Sequence, residues 1–165
     1  MTVLSDSSPL ITLGKIGLLD LLPKLYTTIT ITPQVYAEVV VNAVGLAGSS
    51  QISAAGWIEI KPVQNVVELA VARQRFGLGM GELSVIMLGQ ELAADVVLID
   101  DLNARTLAKD QGLTVMGCVG VLLNAYRLKL LPDLPDAYRR LVSSGAYVEP
   151  SLLKNILKIL DLPPL

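Results

Sequence analysis

The stretch VVLIDDLNARTLA, residues 96–108, decides how the rest of the chain is read. Val96, Val97, Leu98 and Ile99 run without a polar break into two carboxylates, Asp100 and Asp101. A helical pattern follows at once, with Leu102, Leu107 and Ala108 spaced for one side. A short, continuously apolar run suits a strand buried on both faces, as in parallel sheets covered by helices. Ligands of such sheets gather beyond the carboxyl ends of the strands. Two acids there are poorly placed for a core and well placed for a site.

Working outward, strand and helix alternate. Val3 to Asp6 reads as a short strand ending in an acid, followed by a helix start with Ser7 or Ser8 as N-cap and Pro9 in the first turn. Two short helical pieces continue around Gly14 and Gly17. Thr27 to Thr32 alternates as a strand, and Thr32-Pro33 opens a helix in which Val35 and Val39 share one face and Gln34, Glu38 and Asn42 another. Gly45 to Ser50 is a small-residue loop, and Trp57 to Val63 is a strand or an extended arm. Asn65 to Phe76 is a helix broken by Gly77, Gly79 and Gly81, and Glu82 opens the next one. Beyond the anchor strand come a helix from Leu102 to Gln111 with Gly112 as its C′ residue, and a strand from Leu113 to Met116. Three helices close the chain: Val119 to Leu131, stopped by Pro132; Pro135 to Val142, ended by Gly145; and Pro150 to Leu160. The expected architecture is a three-layer α/β/α sandwich with a mainly parallel central sheet.

The 165 residues suffice for one domain with a substantial core, and 52% hydrophobic against 17% charged residues argues against disorder. Mean hydropathy is +0.58, yet the longest uncharged stretch, between Glu38 and Glu59, is interrupted by Asn42, Gly45, Gly48, Ser49, Ser50 and Gln51. A membrane span is therefore not expected, and the N-terminus lacks the basic start of a signal peptide. With no histidine and one cysteine, Cys118, the chain has no His-based triad, no Cys/His zinc site and no disulfide framework. Cytoplasm is the default expectation. The net charge of −2 proposes no nucleic acid by itself.

Acids recur at element ends: Asp6 after the first strand, Glu38 one turn into a helix, Glu82 in the first turn after a glycine loop, and Asp100 with Asp101 after the anchor strand. Carboxylates gathered at one sheet edge repel one another unless a cation sits between them. Mg²⁺ and Mn²⁺ are hard ions suited to such oxygen ligands, and they suit attack on a phosphodiester. Each acid also has an ordinary reason to be where it is. Glu82 interacts favourably with a helix dipole, by about 0.3–1 kcal/mol. Asp6 and Asp101 are N-cap candidates, and Glu38 can lie on a solvated face. Singly these reasons suffice; together they explain less well why acids sit at two apolar strand ends and on two flanking helices.

In that order and context the acids resemble the PIN-domain family, the fold of many prokaryotic toxin ribonucleases, and its predicted nucleic-acid-binding branch. VLSDSSPLITLGKIGLLDLL is similar to the family's opening, with Asp6 as first acid and Ser8 as a nearby hydroxyl. ITPQVYAEVV carries Glu38 as second acid, GMGELSVIMLG Glu82 as third, and VVLIDDLNAR Asp100 as fourth. GLTVMGCVGVLLNAYRLKLL resembles the branch's closing strand and helix. The resemblance implies a single PIN-like domain over 1–165, with 133–165 a C-terminal helical extension packed on it. It implies a metal-dependent endoribonuclease that leaves 5′-phosphate and 3′-hydroxyl ends. Asp6, Glu38, Glu82 and Asp100 would be catalytic and would hold Mg²⁺ or Mn²⁺, with Asp101 a less certain fifth ligand. It also implies a toxin–antitoxin role with an antitoxin protein as partner, RNA as substrate, and a homodimer.

Arg105, one turn after Asp101, is a candidate for the acids or a substrate phosphate; the ordinary expectation is an i, i+4 pair with Asp101. The third acid is Glu where toxin members often carry Asp, which alters metal geometry. The other basic residues, such as Arg139 and Arg140, are scattered and read as solvated surface. Two alternatives stand beside the nuclease. One is a catalytically silent PIN-like module binding nucleic acid or protein. The other is a phosphotransfer domain, for whose dehalogenase-like form the DxD after the first strand is missing, since Ser7 and Ser8 follow Asp6.

Overall fold

Five short strands form one sheet: β1 (Val3–Ser5), β2 (Ile29–Ile31), β3 (Ile58–Ile60), β4 (Val96–Leu98) and β5 (Val115–Met116), in the order β3-β2-β1-β4-β5. The structure, a computed structural model, describes residues 1–46 and 48–165. Every neighbouring pair is parallel, so the sheet is entirely rather than mainly parallel. Val3, Leu4, Ile29, Ile31, Val97, Leu98 and Ile99 are all buried, which is what a sheet covered on both faces demands of its strands. β1, not the anchor strand β4, holds the centre.

That order matters for function. From β1 the chain builds outward to β2 and β3, then crosses back to place β4 on the other side of β1. The carboxyl ends of β1 and β4 are thus the point where the winding direction reverses, the usual binding crevice of an open parallel sheet. Register puts Ser5 opposite Leu98, and the Asp6 N–H donates to the Leu98 carbonyl at 2.9 Å. Asp6 and Asp100 therefore leave the sheet at one edge.

The helices are α1 (Ser7–Lys15), α2 (Leu21–Tyr26), α3 (Pro33–Tyr36), α4 (Ser49–Ser53), α5 (Val66–Phe76), α6 (Met80–Glu91), α7 (Leu102–Asp110), α8 (Cys118–Arg127), α9 (Leu134–Ser143) and α10 (Pro150–Ile159). Most expected elements are present within a residue or two. Of the N-cap candidates for α1, Asp6 takes the position, with Ser7 and Ser8 already helical. Three differences stand out. Gly81 lies inside α6 instead of breaking it; Gly77, at φ +66°, is the residue that ends α5. Of the loop expected over Gly45 to Ser50, Ser49 and Ser50 open α4, and Ala47 lies outside the described residues. Finally, α8 stops at Arg127, four residues early. Lys129 takes φ +60° and the Leu130 and Leu131 amides both return to the Ala125 carbonyl, turning Leu131 into the core. Burial of that leucine prevails over continued helix.

Periodicity also gives no sign of what happens after α3. The helix widens into a π-helical turn over Ala37–Val41, closed by the Asn42 N–H on the Ala37 carbonyl at 2.8 Å. Such single turns re-aim side chains and recur at functional sites. At the C-terminal end, Leu134, Ala137, Tyr138 and Leu141 of α9 and Leu153 and Leu157 of α10 belong to the same buried cluster as the sheet. The Tyr138 hydroxyl donates to the Val119 carbonyl at 3.2 Å. Among the described residues no helix is long and apolar enough to cross a membrane.

Candidate active site

Asp6 is the innermost acid. It sits where β1 hands over to α1, only 1% exposed. Burial pushes its carboxyl up from 3.8 to about 7; the charges of Glu82 and Glu38 push the same way, while the Ser7 and Ser8 amides partly offset them. The hydroxyl touching it belongs to Ser7, whose Oγ donates to Oδ1 at 3.5 Å. Ser8, the serine singled out from the sequence, contributes its amide and lines the adjoining groove.

Glu38 and Glu82 arrive on two helices that a buried hydroxyl pair locks together. Thr32, the N-cap of α3, accepts from the Val35 N–H at 3.2 Å, and its Oγ1 lies 2.7 Å from Ser84 Oγ of α6. Ser84 Oγ also donates to the Gly81 carbonyl at 2.7 Å. This clamp seats the Glu38 carboxylate on Gly81. A Cβ at that position would meet Oε1 at 2.5 Å and Oε2 at 2.7 Å. Gly81 is glycine because the carboxylate needs its space. One turn before Glu38, Gln34 Oε1 is a buried oxygen without a hydrogen-bond partner. Glu82 folds back to accept from the Gly79 N–H at 2.9 Å, the reciprocal half of a capping box. Burial raises its pKa, the Gly79 bond lowers it, and the Asp101 and Glu38 charges raise it again.

The two acids after β4 diverge. Asp101 is the N-cap of α7, accepting from the Ala104 N–H at 2.8 Å, while its charge is felt at Glu82. Asp100 turns the other way, to the start of α8. Its Oδ1 accepts from the Cys118 N–H at 2.7 Å and its Oδ2 from the Cys118 thiol at 3.0 Å. Burial, and then the neighbouring Asp100 charge, hold that thiol well above its usual range. Gly117 makes this possible: a Cβ there would lie 2.6 Å from Arg105 Nη1 and 2.7 Å from Asp100 Oδ1. The expected Asp101–Arg105 pair does not form. Arg105 Nη1 donates instead to the Ile99 carbonyl at 3.0 Å, and the ion pairs among the described residues are Lys61–Glu59 and Arg140–Asp136. With Asp101 committed to its cap, Arg105 reaches back over the helix start to the strand-end carbonyl.

Asp6, Glu38, Glu82 and Asp101 thus form a chain of mutually repelling carboxylates with no ion pair among the described residues, and Asp100 flanks them. An all-oxygen, acid-rich donor set of this kind fits a hard divalent ion. As the side chains stand, among the described residues, no group of three or more acids or cysteines converges closely enough to hold a metal. Glu82, Asp101 and Asp100 are each turned onto a backbone amide. Neither Gly81 nor the Gly117–Cys118 cradle was expected from sequence. A glycine within the first turn of a helix, followed directly by a site acid, was the available signal for the first.

The comparison with curated proteins returned no match. A family described as a PIN domain (DUF3368) matches residues 2–161, which takes in all five strands and reaches through α10. With a parallel sheet whose switch point carries acids from four separate elements, and with that match over nearly its whole length, this chain belongs to the PIN-domain family.

Proposed function

We propose that this PIN domain is a divalent-metal-dependent endoribonuclease, acting in the cytoplasm as the toxin of a toxin–antitoxin pair. The observation that carries the catalytic part is Asp6: a carboxyl buried at the switch point, pushed to about 7 by burial and by two more carboxylates. The Ser7 and Ser8 amides offset that charge only in part, and a bound cation would offset the rest. Asp6, Glu38 and Glu82, with Asp101 or Asp100, would hold Mg²⁺ or Mn²⁺. When bound, the ion supplies an activated water and offsets the charge on the phosphate. The chain's own part is to hold the acids at fixed positions through the Thr32–Ser84 clamp and to keep Glu38 close to Asp6 by means of Gly81. Arg105, beside the groove and bonded through Nη1 to the Ile99 carbonyl, would be the cation to meet a substrate phosphate. The antitoxin and a homodimer rest on family membership; exposed Val66, Val67 and Val71 on α5 are compatible with a covered surface.

A catalytically silent binding module is the second reading. The capping bonds of Glu82, Asp101 and Asp100 favour it, because a metal must compete with them. Cleavage of a mixed single-stranded RNA pool with Mg²⁺, Mn²⁺ or EDTA separates the two. We expect metal-dependent cutting that Asp6→Asn lowers by at least about 10²-fold, the scale of losing a group that acts in the transition state. Folded protein that cuts nothing at any metal concentration sinks the nuclease and leaves the module.

A further inference from the structure

Beside the acids lies a cavity of about 570 Å³ that the carboxylate cluster does not account for. One side is β5 and the start of α8. The other is the C-terminal chain, where residues 146–149 run irregularly between α9 and α10. Ser8, Asp100 and Asp101 are among its lining residues, so the cavity adjoins the acids, while Asp6, Glu38 and Glu82 lie outside it. Met116, Leu123 and Leu152 are among the side chains that give it apolar walls.

Tyr147 stands at this cavity, 77% exposed, while its neighbours Ala146 and Val148 pack against the core. Those anchors fix the backbone and leave the ring in solvent with no packing role. Two residues on, Glu149 accepts from the Ser151 hydroxyl through Oε1 at 3.0 Å, which leaves Oε2 for a further donor. Arg105 is the one cation among the lining residues, against Asp100, Asp101 and Glu149. A polyanionic backbone is repelled from such a lining, whereas an uncharged base is not. The volume is of the class that holds small ligands.

We propose that this cavity is a nucleobase subsite, taking an unpaired base next to the phosphodiester held at the acids. Tyr147 stacks on the base, and Glu149 accepts from an exocyclic amino group, which adenine and cytosine carry and uracil lacks. The assignment rests on the nuclease reading for its neighbouring phosphate, but not for its contacts with the base.

The test is fluorescence anisotropy with 5′-labelled rA5, rC5 and rU5, in Ca²⁺, on the full chain and on Tyr147→Ala, Tyr147→Phe and Glu149→Gln. Both residues are exposed, so circular dichroism should be unchanged. Tyr147→Ala should weaken rA5 by about tenfold or more, with Tyr147→Phe within about twofold of wild type. Glu149→Gln should bring rC5 and rU5 together. Cleavage is followed on the same variants. RNA binding that depends on Tyr147 without any cutting keeps the subsite and sinks the nuclease. Cutting that depends on Asp6 but ignores Tyr147, in rate, affinity and cut site, overturns the subsite and keeps the nuclease. No RNA binding at all overturns the subsite and turns the cavity into a place for a protein segment.

Discussion

The two ends of α1 carry acids under opposite conditions. At its C-terminal end, Arg140 donates through Nε and Nη2 to Asp136 Oδ2, both at 2.9 Å, and through Nη1 to the Ile16 carbonyl, also at 2.9 Å. Asp133 beside it caps α9, accepting from the Asp136 N–H. Both aspartates there have a partner, Asp136 in Arg140 and Asp133 in a backbone amide. At the N-terminal end, Asp6 is buried and feels the charges of Glu38 and Glu82, with no ion pair among the described residues. An aspartate is paired with an arginine at one end of α1 and faces other carboxylates at the other. The difference teaches where to look for a ligand: where the chain leaves its own charge uncompensated.

The largest effect should come from neutralising Asp6 in the absence of divalent ions. Its folded pKa is raised, so below about pH 4 both states are protonated and nothing is lost. Between about 4 and 7 the unfolded chain ionises first, and stability falls as pH rises. Above about 7 the loss is complete, on the order of 4 kcal/mol. Urea unfolding in EDTA should therefore show Asp6→Asn gaining most of that amount at pH 8 and little at pH 4. Saturating Mg²⁺ should reverse the order at pH 8, since binding to the folded state alone stabilises it. Equal stability of the two proteins across pH would mean that Asp6 is not the uncompensated charge it is taken to be.

Gly81→Ala sharpens the comparison by moving one acid without removing any. Alanine favours the helix by roughly 1 kcal/mol, while the new Cβ must displace the Glu38 carboxylate. Thermal stability should stay level or rise, and cleavage should fall by about 10²-fold, the usual consequence of a misplacement near 1 Å. A variant that is destabilised and still fully active would show that Gly81 serves packing and not the site.

How much of this was legible in the sequence follows from range. The apolar runs of β1 and β4 and the Thr32-Pro33 start are local signals, and the structure follows them. Asp6 and Glu82 stand out because each sits at an element's end, and Glu38 because it lies one turn past the Thr32-Pro33 helix start. What local pattern does not carry is the π-helical turn after Tyr36, the early stop of α8, and the split between Asp100 and Asp101. Two of these are set by a tertiary contact: the early stop by burial of Leu131, the split by the cradle that Gly117 and Cys118 bring from a distant strand end. Arg105 was misread for the same reason, since i, i+4 spacing to Asp101 says nothing of the Ile99 carbonyl behind it.

The smallest effect belongs to the compensated end, and it should show a different dependence. Asp136 and Arg140 are both close to half exposed, so their pair is screened and worth about 0.3–0.5 kcal/mol as an i, i+4 contact. The bond from Arg140 to the Ile16 carbonyl adds about 0.5–1.5 kcal/mol, because it satisfies the last turn of α1. Asp136→Asn should then cost a few tenths of a kcal/mol, and that cost should vanish in 1 M NaCl, where the Debye length is about 3 Å. Arg140→Ala should cost about 1 kcal/mol, and most of that should survive high salt. Neither should alter cleavage. If Asp136→Asn changed activity or kept its cost in salt, this end of α1 would be electrostatically tied to the other, and the contrast between a paired and an unpaired terminus would fail.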